Sequence, residues 1–328
     1  MGDQGVRPTG RGSAETSLGA AGTSARATLG PGNYARMALA HATLTNNMDD
    51  HQLEPAAGSA AISWNAEQYA NAHPNSTPAI DIHELRKEYN GVPAVDGLTI
   101  SVPAGCFFGF LGPNGAGKTT TIRMLVGLAQ PASGSISVLG MPMPEKAYEV
   151  RKQIGLVPDD SLLFDHLTGA EYLQFVARMY GLARPVAKER AAELLGLFEL
   201  DRETGKLVGE YSKGMRKRVA MAAALIHRPK LFLMDEPFEG VDAVGARLMK
   251  DILLEQARRG NTVFLTSHVL EVVERLCDRM AIINRGKVVV EGTLDELRAQ
   301  AQDGSGSLEE IFVRVVGAKP MPANLEWL

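Results

Sequence analysis

The sequence predicts an α/β domain built around a mostly parallel sheet. Three observations point there. Short β-rich apolar runs alternate with helical stretches, and parallel neighbours need such crossovers. Gly112–Thr119 reads GPNGAGKT and fits the phosphate-loop pattern GxxxxGK[ST] at every fixed position. Leu231–Glu236 is an apolar run ending in two carboxylates, as expected where a buried strand delivers acids to the edge of a phosphate site.

Residues 1–78 are rich in Gly, Ala, Ser, Thr and Asn and carry no sustained period, so they read as a disordered extension. A weak helical pattern at Ala35–Leu44 offers Met37, Leu39 and Leu44 as a docking stripe. The folded domain is expected over residues 79–302. Ile80–Leu85 and Leu98–Val102 read as strands. Phe107–Leu111 is a short buried strand feeding the phosphate loop, and Thr119–Leu128 continues as a helix. Further strands are predicted at Ile154–Val157, Leu231–Met234, Val263–Thr266 and Met280–Ile283.

No strand pattern appears between Pro158 and Tyr211. Thr168-Gly169-Ala170-Glu171 is a capping box opening a helix, with Tyr172, Leu173, Phe175, Val176 and Met179 on one face. A second helix carries Ala191, Leu194, Leu195 and Phe198, so residues of about 159–211 read as a helical subdomain. Over 303–328, Gly304-Ser305-Gly306 precedes a short helix at Leu308–Val316 and a Pro-containing tail.

The loop's chemistry follows from its residue types. In the run Gly112, Pro113, Asn114, Gly115, Ala116 and Gly117 the glycines let successive backbone N–H groups curl around phosphate oxygens. Lys118 brings positive charge to the outer phosphates, the Thr119 hydroxyl can ligate Mg²⁺, and Thr120 completes the phosphate-binding set. Asp235 is placed to hold Mg²⁺, and Glu236 to orient or deprotonate an attacking water. Ser212 precedes the helix-forming run Arg216–Ile226, where its hydroxyl and the free N–H groups can hold an anion.

Taken in order, these residues resemble the ATP-binding cassette (ABC) ATPases over about residues 80–302. The resemblance implies an antiparallel β subdomain beside the parallel sheet. It further implies adenine stacking by Tyr89, and γ-phosphate contacts from Ser212 and Gly214 in the signature stretch Tyr211–Met215. In that stretch Lys213 replaces a glycine and Met215 a glutamine. Asp159 stands where the family has a glutamine that meets Mg²⁺ or water. Glu239 replaces a serine in the loop that ends at Asp242, and His268 matches the switch histidine that contacts the γ-phosphate.

With catalytic Glu236, His268 and Lys118, the resemblance implies ATP and Mg²⁺ as cofactors and a face-to-face dimer, first choice a homodimer. It implies a separate integral membrane permease, a peripheral position on the cytoplasmic face of the cell membrane, and exporters of the type-2 kind. A rival is a soluble cassette ATPase acting on nucleic acid, ribosome or protein, supported locally only by Arg216-Lys217-Arg218. That cluster reads instead as a solvated helix face. A P-loop kinase would leave the signature and His268 without purpose.

Composition narrows the field. A chain of 328 residues, 45% of them hydrophobic, can bury one large core. The net charge of −4 and pI near 6.0 give no global reason to bind nucleic acid. Cys106 and Cys277 form neither a disulfide framework nor a metal spacing and read as reduced, with Cys277 in a helix. No apolar run reaches bilayer-spanning length and the N-terminus has no signal-like stretch, which argues for a soluble chain. The sequon Asn75-Ser76-Thr77 is therefore read as accidental.

Overall fold

The computed structural model describes residues 77–160, 163–203, 205–300 and 307–317. The extension and the helical pattern at Ala35–Leu44 lie outside the described residues, as do Asn75, Ser76, the Gly304–Gly306 segment and the terminal tail.

Ile80, Ile82 and Leu85 are fully buried within strand β1 (Ile80–Tyr89). Asn90 and Gly91 then take φ of 51° and 77°, the left-handed pair that a two-residue hairpin needs. The chain returns as β2 (Val92–Val102), pairing Ile82 with Ile100 and Leu85 with Leu98. This hairpin carries both strands well past their predicted limits. After β3 (Phe107–Leu111), the phosphate loop and helix α1 (Lys118–Leu125), two unpredicted strands complete an antiparallel sheet. These are β4 (Ser133–Val138) and β5 (Met141–Met143), and the order is β2-β1-β4-β5. β4 begins Ser-Gly-Ser, which weakened its strand signal; its pairing to β1, Ile136 opposite Ile82, supplies what propensity lacks. α1 ends at Leu125, three residues before the predicted limit, because Gly127 takes φ of 70°.

Helix α2 (Ala147–Arg151) leads into β6 (Ile154–Val157). The helical segment follows as α3 (Gly169–Met179) and α4 (Arg184–Leu197), then α5 (Lys213–Leu225). The remaining elements are β7 (Leu231–Asp235), α6 (Ala243–Arg258), β8 (Thr262–Ser267), α7 (Leu270–Leu276), β9 (Arg279–Asn284), β10 (Lys287–Gly292), α8 (Leu294–Gln300) and α9 (Leu308–Val316). β6, β7, β8, β3 and β9 run parallel in the order β10-β9-β3-β8-β7-β6, with β10 antiparallel at the edge.

The parallel strands read as unbroken apolar runs because both faces are covered. Phe108, Phe110, Leu231, Leu233 and Phe264 pack toward the antiparallel sheet with Ile80, Ile82 and Val138. Phe264 stacks on Phe108 at 5.8 Å between ring centroids. Phe107, Val157, Phe232, Met234 and Leu265 share the opposite core with Leu173, Leu195, Phe198 and Met221. Each such side chain contributes about 1.5–3 kcal/mol on burial.

The capping box forms as expected: Thr168 accepts from the Glu171 amide and the Glu171 carboxylate accepts from the Thr168 amide. The buried face of α3 differs from prediction. Leu173 and Ala177 are its centre with Tyr172 and Val176 beside them, whereas Phe175 is 42% and Met179 72% exposed. Cys277 lies just past the end of α7 rather than within it.

Candidate nucleotide site

Strand register brings four chain segments to one edge of the parallel sheet. Leu111 pairs with Ser267, Asp235 with Thr266 and Val157 with Met234. The phosphate loop, the Asp235-Glu236 pair, His268 and the Pro158-Asp159 loop therefore all leave the sheet at its carboxyl edge, where open α/β sheets place ligands.

At Gly112 an added Cβ would sit 2.4 Å from the Ile283 carbonyl, so only glycine lets the loop start here. Gly117 takes φ of 110° at the N-terminus of α1. Lys118 is 7% exposed, and its Nζ donates to the Gly112 carbonyl at 2.6 Å and the Pro113 carbonyl at 3.3 Å. The ammonium is thereby held across the loop's mouth. Asn114, Gly115 and Thr119 are exposed and Thr120 is half-buried, while Ala116 is buried against the base of the loop.

Glu236 follows β7 with φ of +46°, a conformation that costs a residue with Cβ about 1–2 kcal/mol. Its amide is anchored on Thr266, 3.2 Å from Oγ1 and 3.3 Å from the carbonyl. The carboxylate spans two partners: Oε1 lies 3.7 Å from Lys118 Nζ and Oε2 lies 3.0 Å from His268 Nδ1. Oε1 is buried and has no hydrogen-bond partner among the described residues, so it can accept from a group delivered to the site. Thr266 also donates to Asp235 Oδ1 at 2.5 Å. Asp235 is 2% exposed and is aimed by that bond.

The oxygen donors of Thr119 and Asp235 fit a hard divalent cation such as Mg²⁺. Among the described residues no group of three or more His, Cys, Asp or Glu is arranged to hold a metal. Mg²⁺ there would complete its shell with phosphate oxygens and water.

Other predicted residues stand outside this group. Ser212 caps α5 by accepting from the Met215 amide at 3.2 Å, and Tyr89 is 46% exposed at the end of β1. Neither is hydrogen-bonded to Lys118, Glu236 or His268 among the described residues. Gly214 packs against the loop after Glu236, where a Cβ would lie 3.0 Å from the Gly240 carbonyl. Lys213 reaches across Gly240 to Glu239 at 2.7 Å, so two departures from the family pattern pair with each other. That contact raises the Lys213 pKa and lowers that of Glu239. Asp242 caps α6 through the Gly245 amide.

Asp159 is half-exposed and lies 3.6 Å from Nζ of Lys217, a residue the sequence analysis placed on a solvated face. Lys217 is in fact 2% exposed, and burial pushes its pKa down against the pull of Asp159. Arg216 pairs with Asp165 at 2.6 Å, and Arg218 donates to the Phe198 carbonyl at 3.0 Å. Each of the three charges is therefore engaged within the protein. Lys217 and Thr266 were missed as contributors; the available signal was a lysine at 217 on the buried stripe shared with Met221 and Ala224.

Comparison with known proteins agrees with this geometry. Residues 95–239 match the family described as ABC transporter. The chain is 36% identical over 275 residues to Nod factor export ATP-binding protein I of Burkholderia orbicola (strain AU 1054), covering 76% of this chain and 90% of that protein. The chain belongs to the ABC transporter ATP-binding family. This cassette is also 41% identical over 223 residues to the daunorubicin/doxorubicin resistance ATP-binding protein DrrA of Streptomyces peucetius, covering 68% of each. A solved ATP binding subunit of an ABC transporter superposes with a TM-score of 0.68 at 32% identity, over 73% of this chain and 99% of that one. The cassette fold, a nucleotide as ligand and ATP hydrolysis as the reaction class follow from this membership.

Proposed function

We propose that this cassette hydrolyses Mg²⁺-ATP to drive a separate membrane permease working as an exporter, and that two copies of the chain close face to face around the nucleotides. The carrying observation is the Glu236 carboxylate, fixed between Lys118 and His268 at the edge where the phosphate loop opens. Loop N–H groups and Lys118 hold the phosphates, with Tyr89 stacking on adenine. Bound Mg²⁺ would neutralise charge on the outer phosphates, held by Thr119 and Asp235 with Asp159 nearby. Glu236 accepts a proton from, or orients, the attacking water, and His268 keeps the carboxylate turned toward it.

Dimerisation is supported by the part count. The chain has one phosphate loop and one signature helix, and Ser212 and Gly214 offer an anion-binding helix terminus apart from the Lys118–Glu236–His268 group. A second copy would bring that terminus to the γ-phosphate.

The permease reading is supported by a cleft of about 190 Å³ between β6, α3 and α5, lined by Leu156, Pro158, Leu163, Tyr172, Val176 and Tyr180 among others. Phe164, Phe175 and Met179 are exposed on the same helical segment. No helix among the described residues is long and apolar enough to cross a membrane. Docked on a permease and supplied with ATP, the cassette would lie peripherally on the cytoplasmic face. The export direction rests on the two relatives named for export and drug resistance. Burial of Lys217 and pairing of Arg216 leave the nucleic-acid alternative without its basic patch.

Two measurements test the reading. The Glu236→Gln protein should double in mass on sizing columns when saturating Mg²⁺-ATP is added; a persistent monomer counts against the paired site. Affinity purification from membranes should recover an integral membrane partner. Salt-sensitive RNA or DNA binding without such a partner would favour the soluble alternative.

A further inference from the structure

Three segments of the site converge on one buried ammonium. Lys217 projects from the second turn of α5, and its Nζ lies 3.2 Å from the Pro158 carbonyl, 3.2 Å from the Glu236 carbonyl and 3.6 Å from Asp159 Oδ1. Taking a lysine out of water is costly unless its protons are matched, and here two carbonyls and a carboxylate match them. Asp235 and Glu239 add their fields from the β7 end and the loop beyond it.

The contact on Glu236 has a specific consequence. Its left-handed backbone persists only if the surroundings hold it. Thr266 anchors the amide, and Lys217 takes the carbonyl. The carboxylate that meets Lys118 and His268 is thus pinned on both sides of its own Cα. Met221 and Ala224, on the same stripe of α5, are buried in the hydrophobic core, so hydrophobic packing does not explain a charge at 217.

We propose that Lys217 is a positioning residue for Glu236, tying the setting of that carboxylate to the Pro158-Asp159 loop and to helix α5. This rests on the reading that Glu236 acts on the attacking water. Asp159 fits the same arrangement: its carboxylate offsets the charge of the buried ammonium, which a neutral side chain would leave uncompensated. Since Ser212 caps α5, a shift of this helix when its N-terminus engages the second nucleotide reaches Glu236 of its own site through a single side chain. The two ATP sites of a closed pair would be mechanically linked by Lys217.

The test compares Lys217→Met, Lys217→Arg, Glu236→Gln and the Lys217→Met/Glu236→Gln double variant by steady-state and single-turnover ATP hydrolysis, nucleotide binding and thermal unfolding. Lys217→Met should lower kcat about 10- to 100-fold, the scale expected for a displaced catalytic group, with KM within about threefold. Lys217→Arg should recover most of the rate. The double variant should be no slower than Glu236→Gln alone, because Lys217 acts through that residue. Multiplicative losses in the double variant, an unchanged kcat in Lys217→Met, or a rate loss that Arg does not rescue would overturn the assignment. Should Lys217→Met not fold, Lys217→Gln, which keeps a donor for one carbonyl, is read by the same criteria. If Glu236→Gln itself turns over like the parent protein, the reading of the base fails, and the inference about Lys217 fails with it.

Discussion

The Nδ1 atom of His268 lies 3.0 Å from Oε2 of Glu236, across 32 residues of sequence, because β7 and β8 are parallel neighbours that end together. The other oxygen of the same carboxylate faces Lys118 on the phosphate loop. One side chain thus joins the ends of three strands.

Replacing Glu236 with Gln keeps the shape and removes the proton acceptor. ATP hydrolysis should fall about 10²- to 10⁴-fold while nucleotide binding stays near the parent value. Phosphate release and equilibrium binding measured on the same preparation check both halves. Steady-state turnover at the parent rate would remove the base assignment.

His268→Ala leaves Oε2 of Glu236 without its side-chain partner. The expected outcome is a fall in kcat on the order of 100-fold with little change in KM, since the carboxylate is mispositioned rather than lost. A KM effect with unchanged kcat would instead assign His268 to uniform nucleotide binding.

His227 carries a pH-dependent contribution to stability. Its ring stacks on Tyr180 at 3.6 Å, Nε2 donates to the Ile154 carbonyl at 2.9 Å, and Nδ1 is buried without a partner among the described residues. Burial lowers its pKa from the ordinary value of 6.5, with Arg190 acting in the same direction. The unfolded chain therefore binds the proton more readily. The contribution is full above about pH 6.5 and shrinks as pH falls toward the folded-state value. Denaturant midpoints at pH 7.5 and 5.5 should differ less for His227→Phe than for the parent; equal differences would mean that His227 does not titrate on unfolding.

Gly155 in β6 sits against α5, where an added Cβ would lie 2.5 Å from the Ala224 carbonyl. Backbone cannot yield as a flexible side chain can. Gly155→Ala should cost about 1–3 kcal/mol, read as a lower denaturation midpoint at unchanged slope. A midpoint within error of the parent would show that β6 and α5 separate freely.

Much of the fold was legible because its signals are local. Ile154–Val157, Leu231–Met234 and Phe107–Leu111 are apolar runs short enough to be strands, and Ser212 and Thr168 announce helix starts through their own capping bonds. β4 and β5 were not legible, since Ser133–Val138 becomes a strand by pairing with β1 and has little preference of its own. The exposed Phe175 and Met179 were assigned to a buried face because period alone does not say how wide that face is.

For the site, residue types and spacing along the chain pointed to Lys118, Thr119, Asp235 and Glu236 as candidates, because phosphate-loop and strand-end chemistry is written in contiguous residues, whereas His268 entered only through the family resemblance. Folding alone determined how they are wired. Parallel register set His268 against Glu236, Thr266 was placed to aim both acids, and Lys217 was drawn from an expected solvent face into contact with Pro158, Asp159 and Glu236. Such contacts join residues far apart in the chain, and the direction a side chain takes depends on what packs beside it, which no local pattern records.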